Sequence, residues 1–138
     1  MGAVPRAIGW STRTMSGLTF DTGALIGLER RRQRIAQVYR TAVEGGLLVT
    51  VPSSVIAEWW RGRSEARETI LGGLRVELLD EKLAKLAGEA LAAVRGATTV
   101  DAIVMASAAR RGDVVYTSDV ADLARLQDFF RSVRVLAA

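Results

Sequence analysis

Short runs rich in branched and aromatic residues alternate along the chain with longer stretches of helical character. The strand-like runs are Leu18 to Asp21, Leu47 to Val51, Arg75 to Leu79, Val114 to Tyr116 and Val133 to Leu136. Leu47-Leu48-Val49 and Val114-Val115 are continuously apolar rather than alternating, the pattern of strands covered on both faces. Helical patterns fill the intervals Ala24 to Glu44, Ser53 to Gly73, Glu81 to Arg95, Thr99 to Arg111 and Val120 to Phe130, and each of the first two is long enough for a pair of helices. Glycines at Gly45-Gly46, Gly72-Gly73, Gly96 and Gly112 mark helix ends, where positive φ is expected. Strand and helix in repeated alternation predict an α/β fold with a mainly parallel sheet. There is no repeat, low-complexity tract or linker, so residues 18–138 read as a single domain. Residues 1–17 are expected to be an N-terminal extension outside that fold, with Met15 a candidate start. Their apolar piece, Ala7 to Trp10, is too short for a signal-peptide core.

At 138 residues, 49% of them apolar, the chain can bury a core of its own and does not have the composition of a disordered segment. It has no cysteine and no histidine. Disulfides, thiolate zinc sites and thiol nucleophiles are therefore excluded, together with Ser-His-Asp, Cys-His and histidine-ligated zinc chemistry. A reducing cytoplasmic location is compatible with this and is the one expected. No apolar run approaches the roughly 20 residues of a membrane helix. The net charge is +4, and since Lys82 and Lys85 are the only lysines, nearly all of the positive charge is arginine. Guanidinium forks match phosphate oxygens, so an anionic partner is in keeping with the composition.

Carboxylates are then the side chains left to hold a catalytic metal, and four stand where elements begin or end: Asp21, Glu58, Asp101 and Asp119. Each has a bland alternative. Asp21, in Asp-Thr-Gly, also reads as a helix cap, and Asp119 as a first-turn residue. Asp101 heads a helix that stays uncharged from Ala102 to Ala109. A helix apolar on all sides is buried, and a carboxylate at its head is costly unless paired or metal-bound. Glu58 borders the stripe Val55, Ile56, Trp59 and Trp60, where it could instead pair with Arg61 or another arginine at the stripe's edge. Trp59 and Trp60 read as core or dimer surface before base-stacking platforms. Asp80 and Glu81 read as a cap, and Asp113 and Asp128 as solvated. In an open parallel sheet, ligands bind beyond the carboxyl ends of the strands, where strand order reverses. Asp21 and Asp119 sit at such ends, with Glu58 and Asp101 on helices starting from the same edge. Carboxylates gathered there repel, by about 4 kcal/mol for two charges 4 Å apart at a protein-surface dielectric, and a divalent cation reverses the sign. All-oxygen ligation points to Mg²⁺ or Mn²⁺. Asp122, three residues after Asp119, lies on the same face of its helix start and could join through a second metal or a water.

The segments Leu18 to Ile26, Pro52 to Glu58, Thr99 to Ala106 and Val115 to Asp119, in this order and spacing, resemble the PIN-domain nucleases, and among them the VapC-type toxins of toxin–antitoxin pairs. The resemblance implies a three-layer α/β/α sandwich around a mainly parallel five-stranded sheet in the order 3-2-1-4-5. It implies a Mg²⁺- or Mn²⁺-dependent endoribonuclease that cuts RNA with metal-activated water. The family's acidic positions fall on Asp21, Glu58, Asp101 and Asp119, its orienting hydroxyl on Thr117, and an acid present in many members on Asp122. A homodimer is implied, silenced by a cognate antitoxin in a heterotetramer or larger assembly. The N-terminal extension departs from the family pattern. Flanking arginines, Arg61, Arg63 and the run Arg30-Arg31-Arg32 with Arg34, are candidates to track the RNA backbone, although the run also reads as a solvated helix face. A signalling receiver would need a lysine beyond Thr117, and none follows Lys85. The live alternative is a PIN-like module that binds RNA or a partner without cutting.

Overall fold

The computed structural model describes residues 17–138. Five strands form one parallel sheet: β1 (Gly17–Phe20), β2 (Leu48–Pro52), β3 (Arg75–Glu77), β4 (Val114–Thr117) and β5 (Arg134–Ala137). Their order is β3-β2-β1-β4-β5, as expected. Seven α-helices connect them: α1 (Thr22–Glu29), α2 (Gln33–Glu44), α3 (Ser53–Trp59), α4 (Glu65–Gly72), α5 (Glu81–Ala93), α6 (Thr99–Arg111) and α7 (Val120–Ala124), the last continuing into a 3₁₀ turn over Arg125–Asp128. Both long helical stretches of the sequence resolve into pairs. β1 opens at Gly17, one residue before the expected domain boundary, and residues 1–16 of the expected extension lie outside the described residues.

The direction of travel explains the layers. The chain moves outward from β1 to β2 to β3, then returns past β1 to β4 and on to β5. Right-handed crossovers therefore put α1 to α4 on one face of the sheet and α5 to α7 on the other. Val114 and Val115 are buried, as their continuous apolar run predicted, whereas the run Leu47-Leu48-Val49 is covered only from Val49 on, Leu48 at the start of β2 being 53% exposed. Residues Ala102 to Ala108 of α6 are all buried, which places Asp101 at the mouth of a dry helix. On the α2 face, the Phe20 ring lies tilted against Tyr39 with centroids 6.4 Å apart, and it meets Tyr116 edge-on at 6.1 Å. Each such side chain contributes about 1.5–3 kcal/mol by leaving water.

Two sequence expectations need correction. Asp113 is not solvated: it is 4% exposed and part of a buried polar network. The chain leaves α6 through Gly112 in the left-handed region (φ 74°), which turns Asp113 back beneath the sheet. There its carboxylate accepts from the Thr19 hydroxyl and from Arg111 Nε, both at 2.9 Å. Arg111 reaches on to Glu77 (2.7 Å), the Thr19 hydroxyl (2.8 Å) and Ser107 (2.9 Å). The arginine run, although exposed as expected, is not a helix face. Arg30 caps α1, Arg31 has positive φ (56°), and Arg32 precedes α2, so the run is the turn joining the two helices. Asp128 is exposed, as expected. No described helix is long and apolar enough to cross a membrane.

Candidate active site

Strand order reverses between β1 and β4, so the crevice beyond their carboxyl ends is where an open parallel sheet offers a ligand site. Phe20 pairs with Tyr116 at this edge, and Asp21 and Thr117 leave the two strands side by side. Asp21, 8% exposed, uses its two oxygens differently. Oδ1 caps α1 by accepting from the Ala24 amide at 2.8 Å, and Oδ2 accepts from the Thr117 hydroxyl. Capping and a place in the site are thus not exclusive. The same Thr117 oxygen accepts from the Asp119 amide at 2.9 Å, and Asp119 Oδ1 accepts from the Asp122 amide at 3.2 Å to start α7. One buried hydroxyl therefore joins the loop after β1 to the loop after β4.

The remaining acids arrive on helices. Asp101 stands half-buried in the first turn of α6, whose cap is the Thr98 hydroxyl accepting from the Asp101 amide at 3.1 Å. Glu58 is exposed near the end of α3. It is not paired with Arg61; its Oε1 accepts from the Thr22 hydroxyl at 2.6 Å. Thr22 was not singled out from the sequence. Its signal is its place directly after Asp21, in the first turn of α1, where a short hydroxyl can reach the neighbouring helix. Gly23 was not singled out from the sequence, yet a Cβ there would lie 1.8 Å from Ser118 Oγ. Its role is close approach between the two loops.

The electrostatics tie the acids together. Burial pushes the Asp21 carboxyl above its ordinary value against the pull of its Thr117 and Ala24 hydrogen bonds, and the charges of Asp101 and Glu58 add to the rise. Burial also raises Asp101; Thr98 opposes this, while Asp122, Glu58 and Asp119 push further upward. Asp21, Glu58, Asp101, Asp119 and Asp122 thus lie within electrostatic reach of one crevice, with Asp101 in common. No three carboxylates among the described residues stand close enough to form a ready-made ion cage. The donor set, all oxygen and all anionic, has the chemistry of a hard divalent site. Two desolvated acids surrounded by like charge are what such a cation would relieve. The residues fit Mg²⁺ or Mn²⁺ in kind, and their side chains form a loose group rather than a closed one.

Beside this crevice runs a groove of about 360 Å³ between α1 and the end of α3, bordered by Thr22, Ile26, Arg30, Glu58, Trp59 and Arg61. Trp59 is buried, with its indole N–H donating to Glu29 at 3.0 Å, so it is core, as one of its expected readings held. Asp80 caps α5 through the Leu83 amide at 2.8 Å, also as expected, and pairs with Arg110 at 3.2 Å.

No protein-family model and no curated protein sequence matches the chain. Solved structures do. VapC20 of Mycobacterium tuberculosis, described as a sarcin-ricin loop cleaving toxin, superposes with a TM-score of 0.61 at 22% identity, over 78% of this chain and 94% of that one. FitAB bound to an IR36 DNA fragment gives 0.62 at 17% identity, over 87% and 94%. FitAcB from Neisseria gonorrhoeae gives 0.59 at 17% identity, over 86% and 96%. At these identities the likeness is one of fold, and the fold is the PIN-like α/β/α sandwich expected from the sequence.

Proposed function

We propose that the chain is a Mg²⁺- or Mn²⁺-dependent endoribonuclease of the VapC toxin type, acting in the cytoplasm and silenced by a cognate antitoxin. The observation that carries this reading is the joining of Asp21 and the Asp119 loop through the Thr117 hydroxyl beyond the carboxyl ends of β1 and β4, with Asp101, Glu58 and Asp122 within electrostatic reach. The fold shared with VapC20, a protein described as cleaving the sarcin-ricin loop, supports RNA as the substrate. The antitoxin partner and a homodimer are proposed on the resemblance of the site segments to the VapC-type toxins.

Asp21, Asp101 and Asp119 would hold the cation, with Asp122 as an added ligand and Glu58 beside them. Bound there, the ion supplies Lewis-acid chemistry, activating water near neutral pH and offsetting charge that grows on the phosphate oxygens. The chain's own groups do the rest. Thr117 holds the Asp21 carboxylate and the Asp119 amide in register, and it prevents either loop from drifting. Thr22 holds Glu58 toward the crevice. The buried body of α6, Ala102 to Ala108, holds Asp101 half-buried at its start, where its charge is less screened than on the open surface. The test is cleavage of a generic single-stranded RNA during Mg²⁺ titration. Cutting should rise with the ion and vanish in Asp101→Asn and Asp119→Asn. Undiminished cutting in a chelator, or by either variant, would overturn the reading.

A non-catalytic PIN-like module is the second reading. What favours it is that no three described carboxylates form a closed cage. In that case RNA would bind with the same affinity with and without Mg²⁺ and remain whole.

A further inference from the structure

The groove between α1 and α3 has a built wall and two uncommitted cations. Thr22, Ile26 and Arg30 recur at helical spacing along one face of α1, and Arg61 faces them from just past the end of α3. The wall is fixed by Glu29, which accepts from Trp59 Nε1 (3.0 Å) and pairs with Arg67 Nη2 (3.0 Å), while Arg67 Nη1 holds the Gly62 carbonyl (2.9 Å). Arg67 is therefore spent on structure. Arg63 is likewise engaged, with Glu68 at 3.1 Å. The guanidinium groups of Arg30 and Arg61 are exposed and have no hydrogen-bond or ion-pair partner among the described residues. Both line the groove together with Thr22 and Glu58, Arg30 at the far end of α1 from Thr22 and Arg61 just past the end of α3.

We propose that this groove is the track of the RNA strand leaving the cleavage site, and that Arg30 and Arg61 grip its phosphates. The inference rests on the nuclease reading for the identity of the strand. Eight residues of α1 separate Thr22 from Arg30, a span of about 12 Å at 1.5 Å per residue. A phosphate held there lies a few nucleotides from the scissile one, far enough from the carboxylates that cations and anions do not cancel. Charge also favours a strand over a peptide: with Glu29 paired to Arg67, the groove offers a phosphate chain two free guanidinium forks beside the acidic crevice. Of the arginines flanking the site in sequence, Arg30 and Arg61 line this groove, and Arg31, Arg32, Arg34 and Arg63 do not.

The experiment is equilibrium binding of a random-sequence single-stranded RNA pool across a salt series, with Asp101→Asn as the uncut background and Arg30→Gln/Arg61→Gln added to it. Each single-strand phosphate contact contributes about 0.7 to the slope of log K against log salt, so the pair should lower the slope by about 1.4 and weaken binding at least tenfold at low salt. Arg134→Gln, on the edge strand β5, is the control for non-local charge. An unchanged slope, or a fall per charge no larger than that of Arg134→Gln, overturns the groove proposal. The latter outcomes would leave the groove for an acidic segment of a protein partner. Cleavage by the otherwise wild-type chain is scored separately. A chain that never cuts while its slope still depends on Arg30 and Arg61 would sink the nuclease reading and leave the groove standing.

Discussion

The Thr117 side chain donates to Asp21 and accepts from the Asp119 amide, so a single oxygen sets the distance between two acids on different loops. Thr117→Val keeps the shape and removes both bonds. It leaves a buried carboxylate short of a donor, and about 1–3 kcal/mol of stability should be lost, read from the chemical denaturation midpoint. Cleavage should fall about 10–100-fold, as for a group that orients a ligand rather than supplying one, and Thr117→Ser should restore most of it. Asp101 behaves oppositely. Its folded-state carboxyl is raised above 3.8, so between 3.8 and that raised value the native state binds more protons than the unfolded chain. Stability conferred at low pH is therefore lost as pH rises through that window. In metal-free buffer Asp101→Asn should melt at or above the wild-type temperature, and the gap should widen from pH 4 toward neutrality while cleavage falls by about 10²–10³. A variant that melts lower at every pH would show that Asp101 serves the helix start instead.

At the scale of elements, the approach of α1 to the loop after β4 decides whether the acids meet. Gly23→Ala puts a methyl on Ser118 Oγ, which must move and carry Asp119 with it. Loss of activity exceeding the loss of melting temperature is expected, and Ser118→Gly in the same chain should recover part of it. The elements themselves were largely legible. Strand runs, paired helices and the all-apolar α6 follow from patterns local to each segment, and so do the caps at Asp21 and Asp80, whose partners lie three residues away. What the pattern could not carry is burial set by distant neighbours. Asp113 is hidden by Thr19, 94 residues before it, and no local signal distinguishes it from a surface aspartate. Gly73 was expected at positive φ, yet its φ is −95°; the Tyr39 hydroxyl, 2.1 Å from where a Cβ would stand, demands the glycine. For the site, Asp21 and Asp119 could be named from the sequence because they sit at strand ends, Glu58, Asp101 and Asp122 because they lie on helices at the same edge, and Thr117 through the family resemblance. Thr22 and the α1–α3 groove could not, because they depend on how two helices pack.

Across the whole molecule, charge is arranged in two places with opposite logic. Beneath the sheet, Arg111 satisfies Asp113 and Glu77 in a closed network. Arg111→Met would leave the buried Asp113 carboxylate without its cation at a cost of about 3–5 kcal/mol in denaturant unfolding, and Arg111→Met/Asp113→Leu should return part of that loss. At the crevice between β1 and β4 the anions instead face one another without a described cation, an arrangement that costs stability unless a ligand relieves it. Mg²⁺ or Mn²⁺ should consequently raise the melting temperature of the wild-type chain and do little for Asp101→Asn. The most direct measurement is the chemistry of the cut ends. With Mg²⁺ present, a cleaved RNA should carry 5′-phosphate and 3′-hydroxyl ends, and chelation should abolish the products. Ends bearing a 2′,3′-cyclic phosphate, or the same products in excess EDTA, would contradict a carboxylate-held metal as the source of the activity.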